Sequence, residues 1–331
     1  MSISHYYTML PSLLTSRLKT ILWSDYESVI SSFAKNRKWS LRLNLLKTNG
    51  HDVIEEFKSK GIILEPFVWI DGAYIFDREH EYAIKWTQSF YEGKIYLQSI
   101  ASQLPALVLD PESGESILDV CAAPGSKTTQ LAMMMDNRGS IYAIEQNQIR
   151  YDRLMHNCIL QWATIVEWVK MDARHWLADT GAAVTVIDDT ADIEFDHILL
   201  DAPCSAEGRI ALDNEKTYGF WSLVNIMKKA ELQSELLQVS WDHLRVGGTI
   251  VYSTCTLAPE ENEGVIAEFL LAHTDATLED IDIGLSDRSW WMHGLASFGK
   301  NTHYPETLQK AVRILPSDET EGFFIAKIRK V

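Results

Sequence analysis

The feature that most constrains the fold of this chain is an alternation of short apolar runs and helical segments from about residue 114 to the end. Strands that are separated by helices pair in parallel, so this pattern predicts an α/β fold with a doubly wound, mostly parallel sheet. The predicted strands cover residues 116–121, 140–144, 163–169, 195–200, 249–252 and 322–328. Helices are expected at 128–135, 148–161 and 224–244 and from residue 259 onward.

The first hundred residues follow a different pattern, which predicts a smaller α/β module. Helical periodicity covers residues 10–35, and a strand (41–46), a helix (53–60) and short strands (67–75) follow. Residues 96–105 are expected to join the two parts, so the predicted division is an accessory module at 1–95 and a catalytic domain at 96–331. Two further expectations are an inserted hairpin or loop at 184–194 and a turn at 245–248.

Composition places the chain among globular proteins and excludes several other classes. Of its 331 residues, 46% are hydrophobic and 23% are charged, the usual proportions of a folded domain. We see neither an apolar stretch long enough to span a bilayer nor the features of a signal peptide at the start. The four cysteines show no Cys-x-x-Cys spacing, which argues against a zinc knuckle or a disulfide scaffold. We therefore expect a cytoplasmic protein with no membrane association and no metal.

The formal net charge is −16, which on average would repel a polyanionic ligand. Basic residues nevertheless cluster at 35–42, where Lys35, Arg37, Lys38 and Arg42 occur, and again at 327–330. A solvated surface is the other explanation of each cluster. Charge alone therefore leaves the class of substrate open.

Two cysteines follow predicted strands in similar settings. Cys204 lies in Asp-Ala-Pro-Cys-Ser after strand 195–200, and Cys255 lies in Ser-Thr-Cys-Thr after strand 249–252. Residues just beyond the carboxyl ends of parallel strands line the ligand crevice of such a sheet. Two thiols there, one of them close to Asp201, indicate covalent chemistry on an electrophilic carbon. The alternative is a pair of buried cysteines acting as small hydrophobic residues.

The loop after the first strand of the sheet points to the cofactor. It lacks the Gly-x-Gly-x-x-Gly pattern of a dinucleotide site but consists of small residues that let a ligand approach the backbone. Glu145 ends the second strand, where a carboxylate can hold ribose hydroxyls, and Asp172 ends the third. This ordered set predicts S-adenosyl-L-methionine, which carries a ribose and an amino acid but no phosphate. The residues of the loop are Cys121, Ala122, Ala123, Pro124, Gly125, Ser126 and Lys127.

Several segments together resemble the signature blocks of the Nop/Sun family of RNA (cytosine-5) methyltransferases. Within this family, the sequence is most similar to the enzymes of the bacterial 16S rRNA branch, and it is also similar to the archaeal tRNA enzymes. Ala206 stands where the family usually has glycine, and the similarity does not extend to the additional carboxyl-terminal RNA-binding region of the longer ribosomal enzymes. The segments that carry the resemblance are 42–47, 98–105, 119–128, 201–208, 252–256, 260–263 and 321–327.

The resemblance implies a role for each candidate residue. Cys255 would attack C6 of cytosine, and Cys204 would assist removal of the C5 proton or release of the adduct. Asp201 would hydrogen-bond the N3/N4 edge of the base, and Lys127 would orient the base and lower the pKa of a thiol. The loop from Cys121 to Lys127 would hold the amino-acid end of the cofactor, with Glu145 at the ribose, Asp172 at the adenine and Asp201 at the methionine side. For Arg150, both a cofactor contact and a surface salt bridge are open.

The resemblance therefore implies an enzyme that forms 5-methylcytosine in structured RNA, most consistently in 16S rRNA, through a covalent adduct between cysteine and C6. We expect this enzyme to be monomeric and its module at 1–95 to bind RNA. The same chemistry on tRNA is one alternative, and a catalytically retired RNA-binding or ribosome-assembly factor is another. A DNA cytosine-5 methyltransferase would leave Cys255 without a role. An amino-group methyltransferase would need Asn/Asp-Pro-Pro-Tyr/Phe where this chain has Asp-Ala-Pro-Cys.

Overall fold

A computed structural model describes residues 9–35, 37–178 and 194–331. The described chain begins with two helices, α1 (Ser12–Leu22) and α2 (Tyr26–Ala34). The single helical period predicted over 10–35 is wrong at Trp23, where a φ of 45° ends α1 before a short 3-10 turn leads into α2. A residue with a positive φ cannot continue a right-handed helix, so α1 ends at Leu22.

A small antiparallel sheet follows. In the described residues it has four strands, in the spatial order β2-β3-β1-β4. The strands are β1 (Trp39–Leu43), β2 (Glu65–Pro66), β3 (Ala73–Phe76) and β4 (Ile95–Leu97), and the helices between them are α3 (His51–Ser59), α4 (Glu81–Ile84) and α5 (Gln88–Tyr91).

The main sheet contains the predicted parallel strands at its centre, in the order β7-β6-β5-β8-β9. The strands are β5 (Ser116–Asp119), β6 (Ser140–Ile144), β7 (Val166–Val169), β8 (Phe195–Asp201) and β9 (Leu244–Thr254). The helices are α6 (Ile100–Leu109), α7 (Ser126–Met134), α8 (Gln148–Leu160), α9 (Ala173–Ala178), α10 (Leu223–Asp242) and α11 (Val265–Ala272).

Antiparallel strands extend this sheet beyond β9. These strands are β10 (Ala276–Glu279), β11 (Trp291–His293), β14 (Val312–Ile314) and β15 (Phe323–Lys330). The strand β15 pairs with β9 on one edge and with β14 and β10 on the other, and β11 pairs with β14. The strands β12 (Ser297–Phe298) and β13 (Thr302–His303) form a separate two-stranded sheet.

Alternate side chains of each central strand enter different cores, as the period of a strand requires. Ile117 and Leu199 pack on one face with α6, α7 and α8, whereas Leu118 and Leu200 pack on the other face with α9, α10 and α11. Both faces are covered, which explains why these strands read as continuous apolar runs rather than as alternating patterns.

The small sheet has a core of its own, but α1 and α2 do not belong to it. Their apolar residues, including Leu14 and Phe33, join the core on the α6 face of the main sheet, while Leu41 and Phe57 form the separate core of the small sheet. The predicted division at residue 95 falls within β4, which pairs with β1. The functional division at 95/96 stays a prediction.

Two other local expectations have different outcomes. The predicted turn at 245–248 lies within the range of β9 but leaves its pairing. Phe195 pairs with Leu244 and His197 with Thr249, so residues 245–248 lie opposite a single residue of β8, and Gly247 has a φ of 83°. The helix expected from residue 259 begins with a wide π-helical turn, Glu260–Gly264, and continues as α11. The predicted insertion at 184–194 lies outside the described residues, except for its last residue.

Candidate active site

Loops at the carboxyl ends of β5, β8 and β9 meet at one edge of the main sheet. They surround an open cavity of about 930 Å³, and Cys121, Lys127, Asp201, Cys204 and Cys255 are among the residues that line it. The structure therefore brings together the residues that the sequence singled out after three different strands, as expected for the crevice of a parallel sheet.

The two thiols are in direct contact. Cys204 Sγ lies 3.2 Å from Cys255 Sγ, and both side chains are partly exposed rather than enclosed in a core. The hydrogen bond with Cys255, together with burial, raises the pKa of Cys204 well above its usual value. Cys204 therefore keeps its proton at neutral pH, which makes it a poor nucleophile as it stands.

The loop that carries Cys204 is held by a buried carboxyl group. The Ser205 N–H donates to Glu261 Oε2 over 3.0 Å, and Gln233 Nε2 donates both to that oxygen, over 2.9 Å, and to the Pro203 carbonyl, over 3.0 Å. Burial raises the pKa of Glu261 to about 7. Ala206, which stands where the family that the sequence resembles usually has glycine, takes a φ of 61°, in the left-handed region that glycine occupies at least cost.

The loop that carries Cys255 is held mainly by neutral groups. Thr254 Oγ1 donates to Asn262 Oδ1 over 2.6 Å, and Asn262 Nδ2 donates to the Thr256 carbonyl over 3.1 Å. The Cys255 carbonyl accepts from the Gly208 N–H over 3.0 Å. A Cβ at Gly208 would come within 2.1 Å of the Gly322 carbonyl oxygen, so this close approach of two backbones requires glycine.

Asp201 and Lys127 form an ion pair beside the thiols. Lys127 Nζ lies 2.7 Å from Asp201 Oδ2 and 2.9 Å from Ser102 Oγ, and Ser253 Oγ donates to Asp201 Oδ1 over 2.8 Å. The Lys127 side chain is buried, whereas that of Asp201 is 31% exposed toward the cavity. The Lys127 ammonium group is bound to Asp201, and the pKa of Cys204 is raised by Cys255 and by burial; that Lys127 lowers the pKa of a thiol stays a prediction.

The loop after β5 is held in a tight shape by α8. Gly125 has a φ of 100°, and a Cβ there would lie 3.1 Å from Leu154 Cδ1. The Ala123 carbonyl accepts from Arg150 over 2.6 Å, and the Pro124 carbonyl accepts from Asn157 over 2.7 Å. Ala122 is buried, and Ser126 begins α7.

The two predicted cofactor carboxylates lie around a second, small cavity of about 30 Å³, together with Cys121. Glu145 is buried, accepts from the Asn147 N–H over 2.7 Å and pairs with Arg150 over 3.2 Å. Hydrogen bonds from Arg174 lower the pKa of Asp172, and burial raises that of Cys121. Of the two possibilities for Arg150, the structure contains the salt bridge, and Arg150 also lines both cavities.

The rim of the large cavity is positively charged although the chain is strongly acidic. Among the described residues that line it, eight are lysine or arginine and four are aspartate or glutamate. The basic lining residues are Lys35, Arg37, Lys38, Arg78, Lys127, Arg150, Arg209 and Lys216. The acidic ones are Asp201, Glu207, Glu319 and Glu321. Six of the eight basic residues are in ion pairs: Lys127 with Asp201, Arg150 with Glu145, Lys38 with Glu65, Arg78 with Asp213, and both Arg37 and Arg209 with Glu321. The positive charge that this opening offers to an anionic ligand therefore comes mainly from Lys35 and Lys216.

Comparison with protein families decides the class to which this site belongs. Residues 106–329 match the family described as 16S rRNA methyltransferase RsmB/F. The chain belongs to this family. The predicted resemblance to the Nop/Sun enzymes is confirmed, and so is the predicted enzyme class. This family consists of RNA (cytosine-5) methyltransferases, whose cofactor is S-adenosyl-L-methionine, as the sequence predicts.

Two curated relatives illustrate the range of targets. The chain is 35% identical over 307 residues to the tRNA (cytosine(49)-C(5))-methyltransferase of Pyrococcus abyssi, which covers 92% of each chain. It is 31% identical over 336 residues to the ribosomal RNA small subunit methyltransferase F of Vibrio parahaemolyticus, covering 98% of this chain and 64% of that protein. The chain thus spans less than two thirds of the length of the ribosomal relative.

Solved structures confirm the predicted fold class. A methyltransferase homologue from Pyrococcus horikoshii superposes over the full length of both chains with a TM-score of 0.81 and 31% identity. NSun6 from the same organism, crystallised with SFG, superposes over 98% of this chain and 99% of its own with a TM-score of 0.78 and 24% identity. The last comparison bears on the fold alone.

Several residues of this RsmB/F-family site were not assigned a role from the sequence. Asp119 is buried, accepts from Thr128 Oγ1 over 2.7 Å, and has its pKa raised to about 7 by burial. Glu261, Asn262 and Gln233 hold the two cysteine loops, as described above. The signal for two of them was present, because a Glu-Glu-Asn-Glu run follows Cys255 by a few residues, but its partners were not evident.

The residues of the two basic clusters that the sequence indicated lie in different environments in the structure. Lys35, Arg37 and Lys38 line the cavity. Arg42 is instead buried and donates to Thr129 over 2.7 Å and to the Ser126 carbonyl over 3.1 Å. Residues of the second cluster serve the sheet, since Lys330 donates to two backbone carbonyls.

The described part of the chain has neither a membrane-spanning helix nor a cluster of metal ligands. Within residues 9–35, 37–178 and 194–331, no helix combines the length and the apolar character that crossing a bilayer requires. In the same ranges, no cluster of three or more His, Cys, Asp or Glu side chains is arranged to hold a metal ion. The cytoplasmic location and the monomeric state stay predictions.

Proposed function

We propose that this chain forms 5-methylcytosine in 16S rRNA by way of a covalent adduct between Cys255 and C6 of the target cytosine. The observation that carries the proposal is the contact of two thiols, 3.2 Å apart, next to the Asp201–Lys127 pair in a cavity with a basic rim. A single nucleophile would need only one thiol, so the pair indicates a second role for the other.

The chemical problem is that C5 of cytosine is a poor nucleophile. Addition of the Cys255 sulfur to C6 moves the C5–C6 π electrons toward C5, which makes that carbon reactive, and so divides one difficult step into two easier ones. The resemblance assigns the attack to Cys255, and the hydrogen bond with Cys255 together with burial raises the pKa of its partner Cys204. Cys255 attacks as a thiolate, after its proton has passed to solvent. Once C5 carries the methyl group, Cys204, which must by then also have lost its proton to solvent, takes the C5 proton. The electrons of that C–H bond re-form the C5–C6 double bond and expel the Cys255 thiolate.

Asp201 is assigned to the base edge. Its carboxylate already accepts from Lys127 and Ser253, and these contacts fix its orientation while leaving lone pairs for the amino group of a cytosine. Hydrogen bonds that strengthen as charge develops on the ring would stabilise the transition state. Because the ring must reach the thiols at the sheet edge, the cytosine has to leave its stack or come from a single strand.

The residues fit S-adenosyl-L-methionine. Glu145 and Asp172 stand at the ends of consecutive strands around the small cavity, and the loop from Cys121 to Lys127 offers backbone atoms without a phosphate cradle. Glu145 would hold the ribose, Asp172 the adenine, and the loop with Asp201 the amino-acid end. When bound, the cofactor supplies the methyl group that C5 accepts.

Transfer RNA is the second candidate target. The specific observation in its favour is that the tRNA enzyme of Pyrococcus abyssi matches over 92% of both chains, whereas the ribosomal relative matches over 64% of its own length. The chemistry at the two cysteines would be the same.

Bisulfite sequencing of total RNA from the host, with and without this gene, tests both targets. We expect the loss of one methylated cytosine in small-subunit ribosomal RNA, restored by the wild-type gene and not by Cys255→Ala. Loss confined to tRNA would keep the chemistry and select the second target. An unchanged pattern would contradict both and favour a retired RNA-binding or assembly factor.

A further inference from the structure

One aromatic side chain at the rim of the large cavity is fully presented to solvent. Phe220 lines the cavity that contains Cys204 and Cys255, and its exposure of 88% is the highest among the large apolar side chains of the described residues. Leaving a phenylalanine exposed gives up about 1.5–3 kcal/mol of burial. Such a position is typical of a contact surface rather than of the interior.

Phe220 is held on a fixed segment, because the residues on both sides of it are anchored. Tyr218 is buried, and its N–H donates to the Glu215 carbonyl over 3.1 Å. On the other side, the Trp221 indole donates to Glu207 Oε1 over 2.7 Å, and Ser222 caps α10. The ring of Phe220 therefore projects from a short segment whose neighbours cannot turn freely.

The same segment is tied to both cysteine loops. Glu207 lies three residues after Cys204, and its Oε2 accepts from Thr256 Oγ1, next to Cys255, over 3.4 Å. Glu207 is buried, and burial raises its pKa. A ligand held at Phe220 is thus positioned by the elements that position the reacting thiols.

The surroundings of Phe220 identify the kind of ligand. Lys216 and Arg209, from the stretch of chain between Cys204 and α10, and Lys35 and Arg78, from the amino-terminal part, line the same opening. A ligand that binds these cations and also stacks on the exposed ring of Phe220 needs regularly spaced negative charges and unpaired planar rings. Single-stranded RNA has both, because its phosphates bind cations and its free bases stack on aromatic side chains. A duplex hides the faces of its bases.

We propose that Phe220 is a positioning residue that stacks on an unpaired base next to the target cytosine, while the basic rim binds the flanking phosphates. This inference rests on the proposed function and adds a residue that determines how the RNA strand enters. It assigns Phe220 no part in bond formation, so its removal should raise the Kd and the KM for RNA and change kcat little.

The binding test uses a fluorescein-labelled, 15-nucleotide single-stranded RNA with one central cytosine, followed by fluorescence anisotropy. We expect Phe220→Ala to weaken binding about 5- to 100-fold and Phe220→Trp to retain it. Phe220→Leu keeps an apolar side chain without a flat ring and should bind like Phe220→Ala. Trp23→Ala is the matched control, since Trp23 is 81% exposed but is not among the residues that line the cavity, and should bind like the wild type.

A second RNA isolates the stacking contact. In it, abasic riboses replace the nucleotides on both sides of the cytosine, so that the phosphates remain and the neighbouring bases are gone. The wild type should bind this RNA about as weakly as Phe220→Ala binds the intact RNA, and the variant should lose nothing further. Equal affinities of wild type, Phe220→Ala and Phe220→Leu for the intact RNA would overturn the inference.

Methyl transfer separates this inference from the function on which it rests. With total RNA from a host that lacks the gene and labelled S-adenosylmethionine, Phe220→Ala should show a raised KM at nearly unchanged kcat. If the wild type methylates this RNA and Phe220→Ala matches it in Kd and KM, the inference is wrong and the proposed function stands. If the wild type transfers no methyl group although Phe220→Ala weakens binding, the proposed function fails and the stacking contact stands.

Discussion

The two cysteine loops end neighbouring strands and bring their thiols into contact, yet they are held by different kinds of groups. Buried neutral side chains hold the Cys255 loop, above all Asn262, whereas a titratable carboxyl group, Glu261, holds the Cys204 loop. The Cys204 loop also contains a strained residue, Ala206, at a φ of 61°. The groups that hold the Cys255 loop are therefore mainly neutral, with the contact of 3.4 Å from the Thr256 hydroxyl to Glu207 as the exception. The thiol that handles protons is held by groups that respond to pH.

The largest expected effect comes from the thiol in the neutral loop. Cys255→Ala should lower kcat by about 10⁴-fold or more, because removal of a nucleophile leaves only binding and electrostatic contributions. The measurement is transfer of labelled methyl groups to unmodified RNA. Cys158→Ala is the matched control, since Cys158 is buried in α8 and should leave activity intact. A Cys255→Ala protein with wild-type activity would show that Cys255 is not the nucleophile, so that the two cysteine loops would no longer differ in this role.

The second-largest effect is expected from Asn262, a neutral side chain that holds the Cys255 loop. Asn262→Ala removes the acceptor of the Thr254 hydroxyl and the side-chain donor to the Thr256 carbonyl in a buried site, so we expect a loss of about 2–4 kcal/mol in the free energy of unfolding. We also expect kcat to fall about 10-fold or more as Cys255 moves. Urea denaturation and steady-state kinetics measure the two effects. Asn49→Ala, at an exposed position, is the control, and equal stability of the two variants would contradict the role of Asn262.

A smaller, pH-dependent effect is expected from Glu261. Burial raises the pKa of its carboxyl group from the ordinary 4.5 to about 7, so the folded state favours the protonated form. The stability that this group contributes is present below pH 4.5 and is lost as the pH rises through 7, by about 3 kcal/mol at most. Glu261→Gln mimics the protonated form and should remove this part of the pH dependence.

Urea denaturation at pH 5 and pH 8 tests this prediction. Asp119, whose pKa is also raised to about 7, remains in both proteins, so the difference between them isolates Glu261. Glu268→Gln, at an exposed position in α11, should keep the wild-type slope. A Glu261→Gln variant with that same slope would show that the Cys204 loop is not held by a titrating group.

The smallest expected effect concerns the strained residue. Ala206→Gly relieves a left-handed backbone that costs alanine about 1–2 kcal/mol but also increases the entropy of the unfolded chain. We expect a net gain of up to about 1 kcal/mol and a rise in Tm of about 2 °C, measured by differential scanning calorimetry. Ala211→Gly, in the same loop but without a positive φ, should lower Tm instead. A lower Tm for Ala206→Gly would contradict the strain.

Sequence reasoning reached the parts of this structure that depend on local pattern. The strands β5 to β9 and the placement of Cys204, Cys255 and Asp201 at their ends follow from apolar runs and from the geometry of parallel sheets. Lys127 was selected by resemblance, and its pairing with Asp201 became evident only in the structure.

What the sequence did not reveal depends on contacts between distant segments. The bond from Ser205 to Glu261 joins residues 56 positions apart, and nothing in the local pattern specifies that partner. Arg42 reads as a surface cation, but its bonds to the start of α7 bury it. Packing of α1 and α2 on the main sheet likewise overrides the helical period that runs through Trp23.

We propose that Cys255 attacks C6 of the cytosine and that Cys204 is needed to release the resulting adduct. A search for a covalent protein–RNA adduct tests these two roles most directly. Cys204→Ala is incubated with total RNA from a host that lacks the gene and with S-adenosylmethionine, and the protein is run on a denaturing gel. We expect Cys204→Ala to give a slowly migrating, ribonuclease-sensitive band that is absent from the Cys204→Ala/Cys255→Ala double variant. An adduct that forms in Cys255→Ala, with none in Cys204→Ala, would reverse the roles and contradict the account.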